Sequence, residues 1–518
     1  MTQSTTNWPT RLIIILLLLV AFALRLRTLT THPLWFDEAM EFWVATAPLS
    51  QLPTTVREAL QDPPLYSFLL HFWQTLGHQT FILRLLSLYA SLLTITLIYT
   101  LGRHLHTPTT GLLAAALWTI LPPDIRFAQE VGQYAFLLLT ATANLLTLSY
   151  ARHTNQWRYW FVWFITAVLA VFTYYGSFLL LLGTSLSLLA ENILTRQIHK
   201  IRRQLSAALL FTLTTTPLLL FWLPDQLLRG PTSNAFQFTL NPLTIELTNL
   251  LRSTQSLLAY QLIGYVPNPD LWAPPHLIAW LWFLALLLIA LYICIRSPKC
   301  RYIFSWLLIS WLIYYTAGRL GTYPYGGFRH SLILTPLLIL VVAISLNHLW
   351  QFKPIISLTI FSIALITTFN TPPIPTEDLP TIITQYQQQQ SNLPTYVYYN
   401  AVPAFRYHLQ QQQPTLSDTS LPASWYRDCW ANLPQPYCAD NGIYYGRWLR
   451  RQTFPQQATE ILTTINAPAQ PTFWLIFSHT SPDHIQQLLA QLTTTHTIIT
   501  TIEADGAAAY LLQQANTN

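Results

Sequence analysis

The chain has 518 residues, 52% of them hydrophobic and only 9% charged, with a formal net charge of +6. That composition excludes a wholly soluble globule. The positive balance follows membrane topology, as its distribution below makes plain, and gives no support to nucleic-acid binding.

Apolar stretches recur at close to the ~20 residues needed to cross the hydrocarbon core as a helix. They predict eleven spans, near residues 11–29, 82–101, 109–122, 131–150, 158–173, 175–190, 205–223, 277–295, 302–317, 330–349 and 354–370. The first ends in Arg25 and Arg27 and lacks an Ala-x-Ala-like site, so it reads as an uncleaved anchor. The loop at 30–81 is long and predicts one interfacial helix from about Glu38 to Leu60, with Trp35, Phe36, Phe42 and Trp43 in the headgroup zone. A second long loop, 224–276, holds a helical stretch near 244–262 and prolines at 267, 269, 274 and 275. Long loops with structure of their own are usually functional.

Residues 1–370 thus form a helical membrane domain and 371–518 a polar tail, opened by the proline-rich linker 371–376. In the tail, Thr395 to Tyr399 has β-propensity and Pro471 to Phe477 reads as a buried strand. Ser481 to Leu492 reads as an amphipathic helix capped by Ser481 or Asp483, followed by strands at 495–503 and 507–512. The glutamine runs at 387–390 and 410–413 have the composition of solvated loops. The expected fold class is an all-α polytopic membrane protein with about eleven transmembrane helices and a small α/β C-terminal domain.

With a cytoplasmic N-terminus, the loops after even-numbered spans are cytoplasmic. They hold Arg103, Arg152, Arg158, Arg196, Lys200, Arg202, Arg203, Arg296, Lys299, Arg301 and Lys353, while Glu191 is the sole acid on that side. This is the positive-inside pattern, and it orients the chain with the tail extracytoplasmic; the plasma (inner) membrane is the expected location. Cys294 and Cys300 read as free thiols. Cys429 and Cys438 lie nine residues apart in the outer, oxidising compartment, where they either form a disulfide or stay as two thiols.

The outer ends of the spans collect the scarce ionisable groups. Acids stand at Asp37, Glu38, Asp62, Asp124 and Glu130, and guanidinium groups at Arg84, Arg126, Arg319 and Arg329. A carboxylate there can take a proton from an attacking hydroxyl, and arginines can hold a phosphate bidentately. Each also has a plainer use: Asp37 as a helix cap, Asp62-Pro63-Pro64 as a helix start, Glu130 at a helix N-terminus, and the aromatic run before His330 as a membrane anchor. Gln129 and Tyr134 add polar groups at the entrance to the fourth span. Outer carboxylates with His32 or His71 could hold a divalent ion, though nothing in the spacing requires one. There is no Gly-rich phosphate loop, Cys-x-x-Cys, Gly-x-Ser-x-Gly or His-Glu-x-x-His.

Several of these segments occur in a telling order: Leu34-Trp35-Phe36-Asp37-Glu38, Asp62-Pro63-Pro64-Leu65-Tyr66, Leu83-Arg84-Leu85-Leu86-Ser87, Gln129-Glu130 with Tyr134, and Phe328-Arg329-His330. Over roughly the first 330 residues the chain resembles the bacterial membrane glycosyltransferases of the GT-C superfamily. The resemblance is to the branch related to protein O-mannosyltransferases and lipid A aminoarabinose transferases (family 39-like). It implies a bundle of about eleven to thirteen helices that transfers a sugar from a polyprenyl-phosphate donor to a lipid, glycan or protein acceptor at the outer face. It implies Asp37 as general base, supported by Glu38, with Arg84, Arg126 and Arg329 on the donor phosphate. Asp62, Gln129, Glu130 and Tyr134 would then line the substrate site. Members often have His before Pro-Pro, where this chain has Asp62, and Arg two residues after Gln-Glu, where it has Gly132. Arg126 or a metal ion could supply the missing cation. The rival reading is a polytopic lipid or sugar transporter or flippase. Transporters commonly place charges and helix breaks at mid-membrane, whereas here mid-span positions are almost clean.

Overall fold

The structure is a computed structural model describing residues 8–224, 226, 253–258, 260–261, 274–352, 377–389, 393–412, 439–440, 442–446, 452–466 and 470–515. By its internal packing the chain forms two compact units. A helical unit holds residues 1–28, 84–224 and 232–373, and a tail-bearing unit holds 29–83, 225–231 and 374–518.

The helical unit begins with α1 (Trp8–Leu26), which buries only Ala21 and Arg25 and presents Leu12, Ile15, Leu16 and Leu19 outward. An apolar helix with so little protein around it is suited to lipid. Loop helices α2 (Phe36–Ala45), α3 (Leu52–Ala59) and α4 (Leu65–Trp73) fall in the other unit. Then come α5 (Thr80–Leu105), α6 (Pro108–Thr119), the short α7 (Pro122–Phe127), α8 (Tyr134–Thr154), α9 (Trp157–Thr173), α10 (Ser177–Leu194) and α11 (Ile198–Pro217). Pro217 cannot donate to the helix ladder, and the next residues, Leu218–Trp222, wind as a π turn. Helices Pro274–Arg296 and Pro298–Arg319 follow, and a 3₁₀ turn Arg329–Leu334 runs into helix Thr335–Phe352. Helices α5 and α6 approach closely because a Cβ on Gly111 would lie 2.5 Å from the Tyr99 carbonyl oxygen. The core is mainly aliphatic, and its largest fully buried side chains include Trp118, Trp160, Trp306 and Tyr314.

Ten of the eleven predicted spans fall on these helices, and 354–370 lies outside the described residues. Among the described residues six helices are long and apolar enough to cross a membrane: Trp8–Leu26, Thr80–Leu105, Tyr134–Thr154, Ser177–Leu194, Ile198–Trp222 and Arg329–Gln351. The chain is therefore a multi-pass membrane protein, and these six helices leave the full count of eleven open.

The tail-bearing unit is built on a mixed sheet ordered β2-β3-β1-β4-β6-β5, with β1 Thr395–Val397, β2 Ala439–Asp440, β3 Ile443–Tyr445, β4 Thr472–Ser478, β5 His496–Ala504 and β6 Ala507–Gln514. Strands β3, β1 and β4 run parallel, with Tyr396 opposite both Tyr444 and Leu475. Strand β6 is antiparallel to β4 and β5. Every residue of β4 after Thr472 is buried, as its apolar run requires. Helix Pro482–Leu492 is capped by the Ser481 side chain, which accepts from the His484 amide.

Three expectations are corrected here. The single interfacial helix after α1 is two helices, α2 and α3, parted around Pro48. Its rings pack protein: Phe42 and Trp43 are buried, and Trp43 Nε1 donates to the Pro403 carbonyl at 2.9 Å. The glutamine runs end helices, Leu379–Gln388 and Val402–Gln412, whose other faces bury Ile382, Ile383, Val402 and Phe405. Long polar side chains that lose little rotamer freedom are good helix formers when a partner covers the opposite face.

Candidate active site

The tail-bearing unit carries the acids. Asp37 and Glu38 occupy the first turn of α2, where the helix dipole favours negative charge. Glu38 is buried and its Oε2 accepts from the Trp35 amide at 3.4 Å; Asp37 is half-buried. One turn further on the same face comes Glu41, 5% exposed, whose Oε2 accepts from Ser67 Oγ at 3.1 Å. Its carboxyl is pushed up to about 8, first by burial, then by the negative charge of Asp62; Asp37 adds to the rise and the Ser67 hydrogen bond opposes it. Asp37, Glu41 and Asp62 are thus electrostatically one set. The backbone at Asp62 is held by Gln226, whose amide donates to the Leu60 and Asp62 carbonyls at 2.9 Å each, and α4 starts three residues on, at Leu65.

The start of α2 is fastened by residues far along the chain. The Phe36 amide donates to Glu377 Oε2 at 3.0 Å, and Ser478 Oγ donates to the same oxygen at 3.2 Å. His479 Nδ1 lies 2.5 Å from Glu377 Oε1, and the His479 ring stacks on Phe36 with centroids 4.7 Å apart. His408 Nε2 is 2.9 Å from the Leu34 carbonyl. Arg406 lies over both Trp43 and Tyr445, 5.4 Å from each ring.

The helical unit carries the arginines. Arg25 and Asp124 are fully buried and paired at 2.5 Å, with Arg25 also donating to Ser91 Oγ and to the Ala21, Thr119 and Trp118 carbonyls. Asp124, expected at an open outer face, is instead half of a closed internal pair. Burial of either charge alone would be expensive, so each requires the other. Gln129 ties down the end of α1: its Nε2 donates to the Arg25 carbonyl at 2.8 Å and its Oε1 accepts from Thr28 Oγ1 at 3.0 Å.

Around Tyr260 the remaining groups collect. Arg126, Glu130 and Arg329 all act on its buried hydroxyl, which burial holds well above the usual phenol range against the pull of both arginines. Arg329 lies over the Tyr134 ring at 5.2 Å, and Arg126 over Phe127 at 5.5 Å. The aromatic wall continues from Tyr134 to Tyr174, whose hydroxyl is hydrogen-bonded to His330 Nδ1. The segment bearing Tyr260 is keyed to the 3₁₀ turn through Gln261, which donates to Ser331 Oγ at 2.8 Å and accepts from Thr335 Oγ1. Gly327 permits this approach, since a Cβ there would lie 2.5 Å from the Ser256 carbonyl oxygen. Arg84 is buried near the start of α5.

Of the sequence-predicted site residues, Asp37, Glu38 and Asp62 belong to the tail-bearing unit, and Arg84, Arg126, Gln129, Glu130, Tyr134 and Arg329 to the helical unit. Cys429 and Cys438 lie outside the described residues. Among the described residues no group of three or more His, Cys, Asp or Glu side chains could hold a metal ion. His71, weighed as a ligand, spends Nδ1 on the Ala45 carbonyl at 2.8 Å. Sequence reasoning missed Glu41, Glu377 and Tyr260. The spacing of Glu41 from Asp37 was a readable signal, whereas Glu377 and Tyr260 have no local motif.

Residues 61–222 match the sequence profile of the family described as dolichyl-phosphate-mannose-protein mannosyltransferase. No curated protein matches the chain. Among solved structures the chain is similar to ArnT from Cupriavidus metallidurans bound to undecaprenyl phosphate, at 12% identity and TM-score 0.56, covering 96% of this chain and 97% of that one. It is also similar to the apo oligosaccharyltransferase of Archaeoglobus fulgidus, at 10% identity and TM-score 0.53, covering 100% of this chain and 76% of that one. The match to the zinc- and sulfate-bound form of that oligosaccharyltransferase, at 12% identity and TM-score 0.47, covers 76% of this chain and spans 61% of the other's length. The chain shares its fold with ArnT over 96% of its length, and residues 61–222 within it are similar to the mannosyltransferase family.

Proposed function

We propose that this protein is a membrane glycosyltransferase that moves a sugar from a polyprenyl-phosphate donor to an acceptor at the outer face of the membrane. The observation that carries the reading is the match of residues 61–222 to a polyprenyl-phosphate-sugar transferase family, on a fold shared over 96% of the chain with an enzyme that binds undecaprenyl phosphate. The separation of charge supports it. Arg126 and Arg329, with Arg84, bind the donor phosphate and offset the charge that grows on it as it leaves. On the helical unit Tyr134 and Glu130 are assigned to substrate, and on the tail-bearing unit Asp62 is. Gln129 positions rather than binds, through its hold on the end of α1.

Asp37 is the general base. It takes the proton from the acceptor hydroxyl or amine as that atom attacks the sugar carbon and the bond to the phosphate oxygen breaks. Glu38 supports it at the helix start. Tested with the purified full chain in nanodiscs and labelled undecaprenyl-phosphate mannose, glucose and aminoarabinose, the reading expects label to appear on an acceptor. Movement of the intact donor lipid between leaflets, with no sugar transferred, would instead establish the transporter.

A further inference from the structure

We infer that Glu377 is a positioning residue for the Asp37–Glu38 motif: the tail supplies a carboxylate that accepts the first backbone N–H of α2 and so fixes the helix turn from which the proposed base projects. The inference rests on the glycosyltransferase reading for its catalytic arm and on geometry for the latch itself.

The first turn of any α-helix has N–H groups with no partner in the helix. Trp35 precedes α2 and provides no side-chain cap, so the Phe36 amide needs an acceptor from elsewhere. Glu377 is that acceptor, at 3.0 Å, and a carboxylate at a helix N-terminus gains from both charge assistance and the dipole. Three features hold Glu377 rigid. The Asp378 amide donates to the Asp505 carbonyl at 2.7 Å, in the turn between β5 and β6. The Asp378 side chain caps the next helix through Thr381. Ser478 and His479, at the end of β4, engage Glu377 as well, one at each oxygen. The Phe36 and Trp35 rings then close over His479, with centroids at 4.7 and 5.6 Å. A sheet-anchored carboxylate therefore sets the register of the turn that bears Asp37. Three hundred and forty-one residues separate Phe36 from Glu377, so this contact is built by the fold and not by local sequence.

Two variants of the full chain in nanodiscs test this, with hydrogen exchange of the 34–45 peptide and steady-state transfer from the undecaprenyl-phosphate sugars above. Glu377→Ala is expected to speed exchange over 34–41 at least tenfold, leave α5 and α8 protected, and lower kcat about 10–100-fold with KM for donor within about twofold, since small misplacements of a reacting group carry costs of that size. Glu377→Gln keeps an amide oxygen for the Phe36 N–H and is expected to retain protection and most of kcat. The inference is overturned if Glu377→Ala leaves exchange over 34–41 unchanged, if it loosens the whole unit equally, if it raises KM alone, or if Gln is as damaging as Ala. Should the wild type transfer none of these sugars, the glycosyltransferase reading fails while the exchange arm still decides the latch.

Discussion

The two units gather charge of opposite sign. In the tail-bearing unit the groups that act on Glu41 are two more carboxylates and a hydroxyl, and the result is an acid pushed up to about 8. In the helical unit two guanidinium groups and one carboxylate act on Tyr260. The helical unit also contains a contrast of its own, because Arg25 and Asp124 meet as a buried opposite-charge pair, closed in by Ser91 and backbone carbonyls. The difference teaches how to sort ionisable groups in a membrane protein. A charge matched by its opposite at 2.5 Å is part of the scaffold. Ionisable groups gathered without such a match mark a candidate functional site, which is where the proposed proton transfer and anion binding are assigned.

The comparison breaks first at Asp37. Asp37→Asn keeps the shape of the α2 start but cannot accept the acceptor's proton, and transfer should fall about 10²–10⁴-fold with the melting temperature in detergent unchanged. Nearly full activity in that variant would remove the catalytic meaning of the acidic set. The scaffold pair behaves in the opposite way. Asp124→Ala strands Arg25 without its partner and should cost about 3–5 kcal/mol of stability, read as an early melting transition, while the folded fraction still binds donor. A variant that melts normally but loses donor binding would move Asp124 from scaffold to site. Arg329→Ala comes next. Loss of a charge-assisted phosphate contact worth about 1.5–3 kcal/mol should raise KM for donor roughly 10–150-fold, and Lys should restore only part of it because it lacks the planar fork.

What the chain discloses before folding follows the range of the interaction. Apolar runs of full span length lie on helices, and the tail's β4, β5, β6 and the helix at Pro482–Leu492 stand where period and capping put them. Those signals are local: hydrophobic period, Ser at a cap, Pro in a first turn. Asp37 and Glu38 were visible because charge is scarce. The buried fate of Asp124 was not visible, since its partner is 99 residues away. Tyr260 and Glu377 escaped for the same reason, each gaining meaning from groups brought together by tertiary packing. The glutamine runs misled because composition suggests solvent, whereas the helices they close are fixed by apolar faces upstream. The split of α2 from α3 was signalled by Pro48, and the aromatic residues around it were credited to the headgroup zone when they serve the protein core.

The most gradual effect belongs to Glu41. Its folded pKa of about 8 lies above the ordinary 4.5, so the folded state holds a proton that the unfolded chain releases between those values. Folding is therefore favoured by protonation: stability is fully present below about 4.5 and is lost as pH rises through about 8, at no more than about 1.4 kcal/mol per pH unit. Glu41→Gln keeps the shape and carries no ionisable proton. Its melting temperature should match the wild type below about pH 4, exceed it increasingly from about pH 4.5 to 8, and run parallel to it above about pH 9. Parallel curves across the whole range would mean that Glu41 ionises normally, and Asp37, Glu41 and Asp62 would then be three independent acids. If the curves diverge as expected, the same titration should appear in catalysis. Ionisation of Glu41 brings its negative charge to bear on the start of α2, so the wild-type rate should change near pH 8 in a way that Glu41→Gln does not.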